Sequence, residues 1–177
     1  MALDPQPPAS VARITPQDEA ALVARAVAGD RAAFGLLVER YAGVARRVAR
    51  AVLGDPDDAD DAAQDGLLSA LVKLEQYDPR RPFGPWLLRI VANAATDRRR
   101  RRKVRQAEPL DPALAAGGPR PDTVAERRRI AVVLFDVEGY AHAEIAHILG
   151  IPEGTVRSEV FHARRRLRVL LGDWKEQ

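Results

Sequence analysis

The sequence predicts an all-α protein made of two small helical domains joined by a flexible linker, the second a helix-turn-helix. Three observations carry this. Apolar residues recur with a 3.6-residue period, while the period-2 alternation of strands never runs far. A segment rich in proline and glycine, with Pro109, Pro112, Pro119, Pro121 and Gly117-Gly118, interrupts the periodicity. Beyond it, a short helix, a glycine and a second helix follow one another closely.

Residues 1–17 hold Asp4, Pro5, Pro7, Pro8 and Pro16 and no apolar run long enough for a signal sequence, so a disordered tail is expected. A first short helix starts at Gln17 or Asp18 and stops at Gly29. Asp30 is placed to cap a second helix reaching about Leu53, with Phe34, Leu37, Val38, Tyr41, Ala45, Val48 and Val52 on one stripe. Gly54 ends it.

A third helix spans 56–75, with Pro56 in its first turn. Ala59, Ala63, Leu67, Ala70, Leu71 and Leu74 form its inner face, and Asp57, Asp61, Gln64, Asp65 and Leu68 the opposite one. A loop over Tyr77–Pro82 leads to a fourth helix from about Phe83 to Lys103. Its buried stripe is Leu87, Ile90, Val91 and Ala94; Trp86, Arg89 and Asn93 share a neighbouring stripe. After the linker, helices are expected over 123–137, 141–149 and 153–171.

Composition narrows the chemistry. The 177 residues include no cysteine, which excludes disulfides, thiolate metal sites and cysteine nucleophiles. Net charge is only +3, so position matters more than sum. Asp55, Asp57, Asp58, Asp60, Asp61 and Asp65 put six carboxylates and no base in one stretch. They lack calcium-loop spacing, which leaves a solvated helix N-terminus or a surface for a basic protein partner. Arg98 to Arg105 holds seven bases in eight positions. Such a run can be a solvated helix end, but this one continues a helix carrying Phe83, Trp86 and Asn93. Basic side chains hold phosphates, aromatic faces stack on unpaired bases and asparagine reads base edges. From periodicity alone, Phe83 and Trp86 fit base stacking and core packing equally.

From Tyr140 to Ser158 the residues meet the needs of a helix-turn-helix. Ile145, Ala146 and Leu149 lie on the first helix, Gly150 makes the turn, Ile151 plugs the crevice, and Val156 and Val160 face inward. Glu153, Thr155, Arg157, Ser158 and His162 then face outward, with Arg164, Arg165, Arg166 and Arg168 further along. An ordinary αα-hairpin with a basic face is the plainer alternative; glycine, spacing and arginines together favour DNA. His142 and His147 stand five apart, not the four a zinc-protease helix needs. No metal or other cofactor is expected.

These residues resemble bacterial RNA polymerase sigma factors of the sigma-70 family, in the extracytoplasmic-function (ECF) group. Gly29-Asp30-Arg31-Ala-Ala-Phe34, Asp60-Asp61-Ala-Ala-Gln64-Asp65, Phe83-Gly-Pro-Trp86-Leu-Leu-Arg-Ile-Val-Ala-Asn93 and Gly150-Ile-Pro-Glu-Gly-Thr-Val-Arg157-Ser carry the likeness in order. Residues 18–103 would be region 2, 104–122 the linker and 123–177 region 4. The resemblance implies a non-enzymatic initiation factor. Asp61, Gln64, Asp65 and Leu68 would dock on the clamp coiled coil of the largest subunit of core RNA polymerase. Asp78, Arg80, Arg81, Phe83, Trp86, Arg89, Asn93, Arg98, Arg99, Arg100 and Arg101 would bind and melt minus-10 promoter DNA. Glu153, Thr155, Arg157, Ser158, His162 and Arg165 would read the minus-35 element. It further implies a cytoplasmic protein, monomeric when free and not inserted in a membrane, restrained by an anti-sigma factor; a decoy that binds that factor without supporting transcription is the alternative. Two departures stand out. Roughly 15–20 residues of region 4 are missing before Ile130, and a unit near 50 residues is marginal for a core of its own. Glu159 also places a carboxylate where the family commonly has a base, beside the phosphates.

Overall fold

The computed structural model describes residues 15–106 and 123–175, and the expected tail up to Ile14 and linker from Ala107 lie outside them. Among the described residues there are helices and turns and no strand. Helix α1 spans Pro16–Val27, α2 Arg31–Leu53, α3 Pro56–Val72 and α4 Phe83–Gln106, with a 3₁₀ turn at Leu74–Gln76. The second unit comprises α5, Val124–Val132, a π-turn over Val133–Val137, α6, His142–Leu149, and α7, Glu153–Lys175.

Local chemistry sets the boundaries. Thr15 caps α1, its side chain accepting from the Asp18 N–H while the Asp18 carboxylate accepts from Thr15, so the helix starts slightly before the expected point. Asp30 accepts from the Ala32 and Ala33 N–H groups at the head of α2. Asp55 does the same for Asp58 in α3. Gly54, at φ 77°, closes α2 in a backbone region unfavourable to other residues. Helix α3 ends at Val72, three residues early, because the 3₁₀ turn takes over and carries Leu74 into the core.

Helix α4 is the hub. Leu87, Leu88, Val91, Ala92 and Ala95 are all buried, since α2 and α3 lie on one side and α6 on another. This corrects the expected stripe: Ile90 and Ala94 are half-buried and Leu88, Ala92 and Ala95 take their place. Leu71, expected inside, is exposed.

The small second unit does not stand alone. Ile130, Ala131, Leu134, Ile145, Ile148, Leu149, Val156 and Val160 join one apolar cluster with the core of the first unit. A segment too small for its own core completes it against a neighbour. The far end of α7 stays uncovered, with Leu167, Leu170 and Leu171 exposed.

Helices α3 and α4 touch at Gly66. A Cβ there would lie 2.8 Å from the Val91 Cα and 3.0 Å from its Cγ2. The Gly66→Ala variant should therefore lose about 1–3 kcal/mol of stability despite better helix propensity. Chemical denaturation of the pair of proteins measures this; equal stability would refute the close packing.

Candidate nucleic-acid interface

The outer face of α3 presents Asp61, Gln64, Asp65 and Leu68 together, all exposed, Leu68 at 63%. This acidic and partly apolar strip lies beside the basic end of α4. Arg98 joins the two: its Nε donates to Asp58 at 3.2 Å, one terminal nitrogen reaches Asp61 at 2.6 Å, and the other stands 3.7 Å from Asp65. Arg102 donates to Asp58 at 2.8 Å. Arg99 turns the other way and pairs with Glu126 of α5, and Arg100 stands 3.9 Å from Asp97. Arg101 is exposed.

At the head of α4, four rings form a cluster. Tyr77 and Phe83 meet edge-on at 5.5 Å, Tyr77 and Trp86 at 5.1 Å, and Phe83 also contacts Tyr41 at 5.8 Å and Trp86 at 5.5 Å. Phe83 is 3% exposed, so its ring is a core element beneath the surface. That corrects its expected place as a stacking face. Trp86 alone of the four is half-buried, and Arg89 and Asn93 line up after it, also half-buried. The loop before them is tied in place. The Arg80 N–H donates to Asp78 Oδ1 at 3.0 Å, the Arg81 N–H to the Asp78 carbonyl at 3.0 Å, and the Tyr77 hydroxyl to the Arg81 carbonyl. Asp78, Arg80 and Arg81 keep their side chains exposed. Burial, followed by Tyr140 and Glu19, pushes the Tyr41 hydroxyl well above its ordinary pKa, so it remains a donor to Glu19 at 3.0 Å.

In the second unit, Gly150 takes the left-handed conformation at φ 66°, and α7 departs from it. Val156 and Val160 are buried, and Arg157, Ser158, His162 and Arg165 are exposed on the opposite side. Glu153 and Thr155 are half-buried; Glu153 accepts from Arg157 at 2.5 Å, one turn on. Glu159 contradicts its expected position beside phosphates. It is 6% exposed and accepts from Arg128 Nε at 2.6 Å, so its charge is spent inside the unit. Phe161, absent from the expected reading residues, is exposed on the Arg157 side and touches His162 edge-on at 5.6 Å. Its position four after Arg157 is the signal that could have found it. Tyr77 was legible only as a loop residue, since its hydroxyl bond is a matter of loop shape.

These surfaces define a helix-turn-helix protein with a separate acidic face and an aromatic-basic helix. Residues 37–105 match the Sigma-70 region 2 model and 122–167 the Sigma-70, region 4 model. The chain is 39% identical to the ECF RNA polymerase sigma factor SigM of Mycobacterium tuberculosis, over 88% of this chain and 86% of that one. It is 36% identical to the RNA polymerase sigma factor CnrH of Cupriavidus metallidurans, over 89% and 97%. Among solved structures, CnrH in complex with the cytosolic domain of CnrY superposes with a TM-score of 0.66 at 29% identity, covering 88% and 97%. RpoE in complex with the anti-sigma factor NepR, from Bartonella quintana, gives 0.61 at 25% identity, covering 78% and 96%. The chain belongs to the ECF sigma factors of the sigma-70 family.

Two histidines sit within these surfaces. Burial, then Arg89 and Arg81, lowers the His147 pKa below 6.5; burial, then Arg157, lowers that of His142, which also stacks on Phe135 at 4.3 Å. Groups depressed in this way favour the fold while neutral, above the unfolded value, and the benefit is lost as pH falls below 6.5 toward the folded value. Stability should therefore decline from pH 7 to 5, with a shallower decline in a His142→Gln, His147→Gln double variant. Parallel pH profiles in the two proteins would count against these environments.

Proposed function

We propose that this chain is a transcription initiation factor that binds core RNA polymerase and directs it to promoters. One arrangement supports the reading above the rest: a half-exposed tryptophan on an aromatic base, in line with Asn93 and the arginine run, next to an acidic face on the adjoining helix. Asp61, Gln64, Asp65 and Leu68 would meet a basic and partly apolar surface, the clamp coiled coil of the largest polymerase subunit. Trp86 would stack on a base freed from the minus-10 duplex, Asn93 and Arg89 would hold its edge and sugar, and Arg101, with Arg80 and Arg81, the phosphates. Unstacking a base costs a few kcal/mol, and a tryptophan braced by Tyr77 and Phe83 offsets that cost without first being ordered itself. Arg98, Arg99 and Arg100 would join once released from their carboxylates.

Arg157, Ser158, His162 and Arg165 would read the minus-35 element in the major groove, with Glu153 holding Arg157 and Thr155 at the helix head. The inward turn of Glu159 removes the electrostatic objection to this role. In this reading region 2 would span 18–103, the linker 104–122 and region 4 123–177. An anti-sigma factor is a further expected partner, in keeping with the NepR complex of the Bartonella relative. The protein would work in the cytoplasm and be monomeric when free; among the described residues no helix is long and apolar enough to cross a membrane.

Run-off transcription with purified core polymerase tests the reading: promoter-specific transcripts are expected, and their absence on every promoter tried would refute it. Arg157→Ala should weaken minus-35 binding by about 1–3 kcal/mol if the contact is bidentate, measured with duplexes of constant minus-10 sequence. Trp86→Ala should leave core binding intact and reduce permanganate reactivity of minus-10 thymines; footprints identical to wild type would reject the stacking role.

A further inference from the structure

The bases at the end of α4 do not all face one way. Arg98 turns to Asp58, Asp61 and Asp65 on α3. Arg99, Arg102 and Lys103 stand at i, i+3 and i+4, a spacing that sets them on one face of the helix. That face borders a cleft of about 430 Å³ at the seam where α2, α4 and α5 come together. Arg129 of α5 and Thr123, which caps α5, line it as well, and Val52 and Leu53 of α2 supply an apolar wall.

Four cations and no carboxylate line this cleft. Two carboxylates reach them from its sides. Glu126, buried in α5, pairs with Arg99, and Asp58 accepts from Arg102 at 2.8 Å while also accepting from Arg98. Positive charge is therefore in excess. Arg129 Nε donates to the Ala51 carbonyl at 2.6 Å, a neutral acceptor that fixes the side chain and leaves its charge whole. Lys103 is exposed, a compact charge on a flexible stem. The Thr123 side-chain oxygen accepts from the Glu126 N–H at 3.2 Å, so its own O–H remains to donate. A recess lined by one sign of charge, with an apolar wall, concentrates its field and draws ions of the other sign.

We propose that this cleft is a binding site for a small oligophosphate anion, the chemistry of a free pyrophosphate or triphosphate group. Its volume holds about fourteen waters at roughly 30 Å³ each, the scale of a small ligand rather than the side of a duplex. From Arg99 to Lys103 the α4 cations extend over about 6 Å of helix at about 1.5 Å per residue, and Arg129 adds a charge from a second helix. One phosphate cannot engage that whole set, whereas two or three linked phosphates present enough oxygens to do so. Arginine holds such oxygens in paired hydrogen bonds and lysine as a point charge.

The site is separate from both promoter surfaces. Of its cations, only Arg99 also belongs to the set proposed for the minus-10 strand. A ligand held by α4 and α5 together binds the folded chain and not the unfolded one, so it raises stability with its concentration.

Titration calorimetry of the full chain with sodium tripolyphosphate, at constant ionic strength, should show one site, and Tm should rise as the ligand is added. Lys103→Ala, which removes an exposed charge, and Arg129→Ala should each weaken binding about tenfold. Arg31 is an exposed cation at the other end of α2, about 30 Å from Val52 at about 1.5 Å per residue. At that range its charge is screened, and Arg31→Ala should change the affinity by less than about twofold. Orthophosphate should bind at least about tenfold more weakly than tripolyphosphate, since it forgoes one or more charged contacts. No binding of tripolyphosphate, or equal affinity for the two anions, would overturn the proposal. An equal loss in Arg31→Ala would mean an adventitious ion only, and overturn it too. Random-sequence duplex DNA is the last arm, and Lys103→Ala should alter its affinity by less than about twofold, one phosphate contact among many being at stake. A tenfold loss there would give the cleft to the DNA backbone instead.

Discussion

The backbone of α3 and the backbone of α4 meet at Gly66 and Val91 with no room for a methyl group between them. That single approach brings the acidic face and the basic helix side by side, close enough for Arg98 to span three aspartates. It also fixes the roll of α4. With Val91 against α3, Trp86, Arg89 and Asn93 are turned to the remaining open side, and Leu88, Ala92 and Ala95 are available to other partners. The two surfaces of the first unit with a proposed role take their direction from this contact.

Helix ends and the turn of the helix-turn-helix were legible in the sequence because they depend on local chemistry. Asp30 caps whatever follows it, and Gly150 supplies a left-handed turn wherever the chain places it. Long-range pairing was not legible. Glu159 reads as an outward carboxylate by its neighbours Arg157 and Ser158, yet Arg128, thirty-one residues earlier, draws it inside. Phe83 could be core or surface until Tyr41 and Tyr77 closed around it. The inner stripe of α4 was misjudged by one position in each turn because periodicity locates one buried face and this helix has two.

The small size of the second unit has a physical counterpart in the fold. Helix α5 begins at Val124, and its inner residues Ile130 and Ala131 lie in a core shared with the first unit. Burial that a larger domain would find internally is found across the seam. The same economy leaves Leu167, Leu170 and Leu171 uncovered, where α7 extends past the last residues that pack against it.

Arg98 has a further implication through its donor inventory. A guanidinium offers five N–H groups, and here one edge goes to Asp58, a terminal nitrogen to Asp61, and the other faces Asp65. A phosphate reaching Arg98 would draw on the same charge that now faces those carboxylates. Any cation brought to Asp61 and Asp65 from outside leaves Arg98 with donors to spare, and any anion that captures Arg98 leaves those aspartates hungry for a base. By thermodynamic reciprocity each event strengthens the other to the same degree. The acidic and basic faces are therefore the two pans of one balance, and Arg98 is its beam.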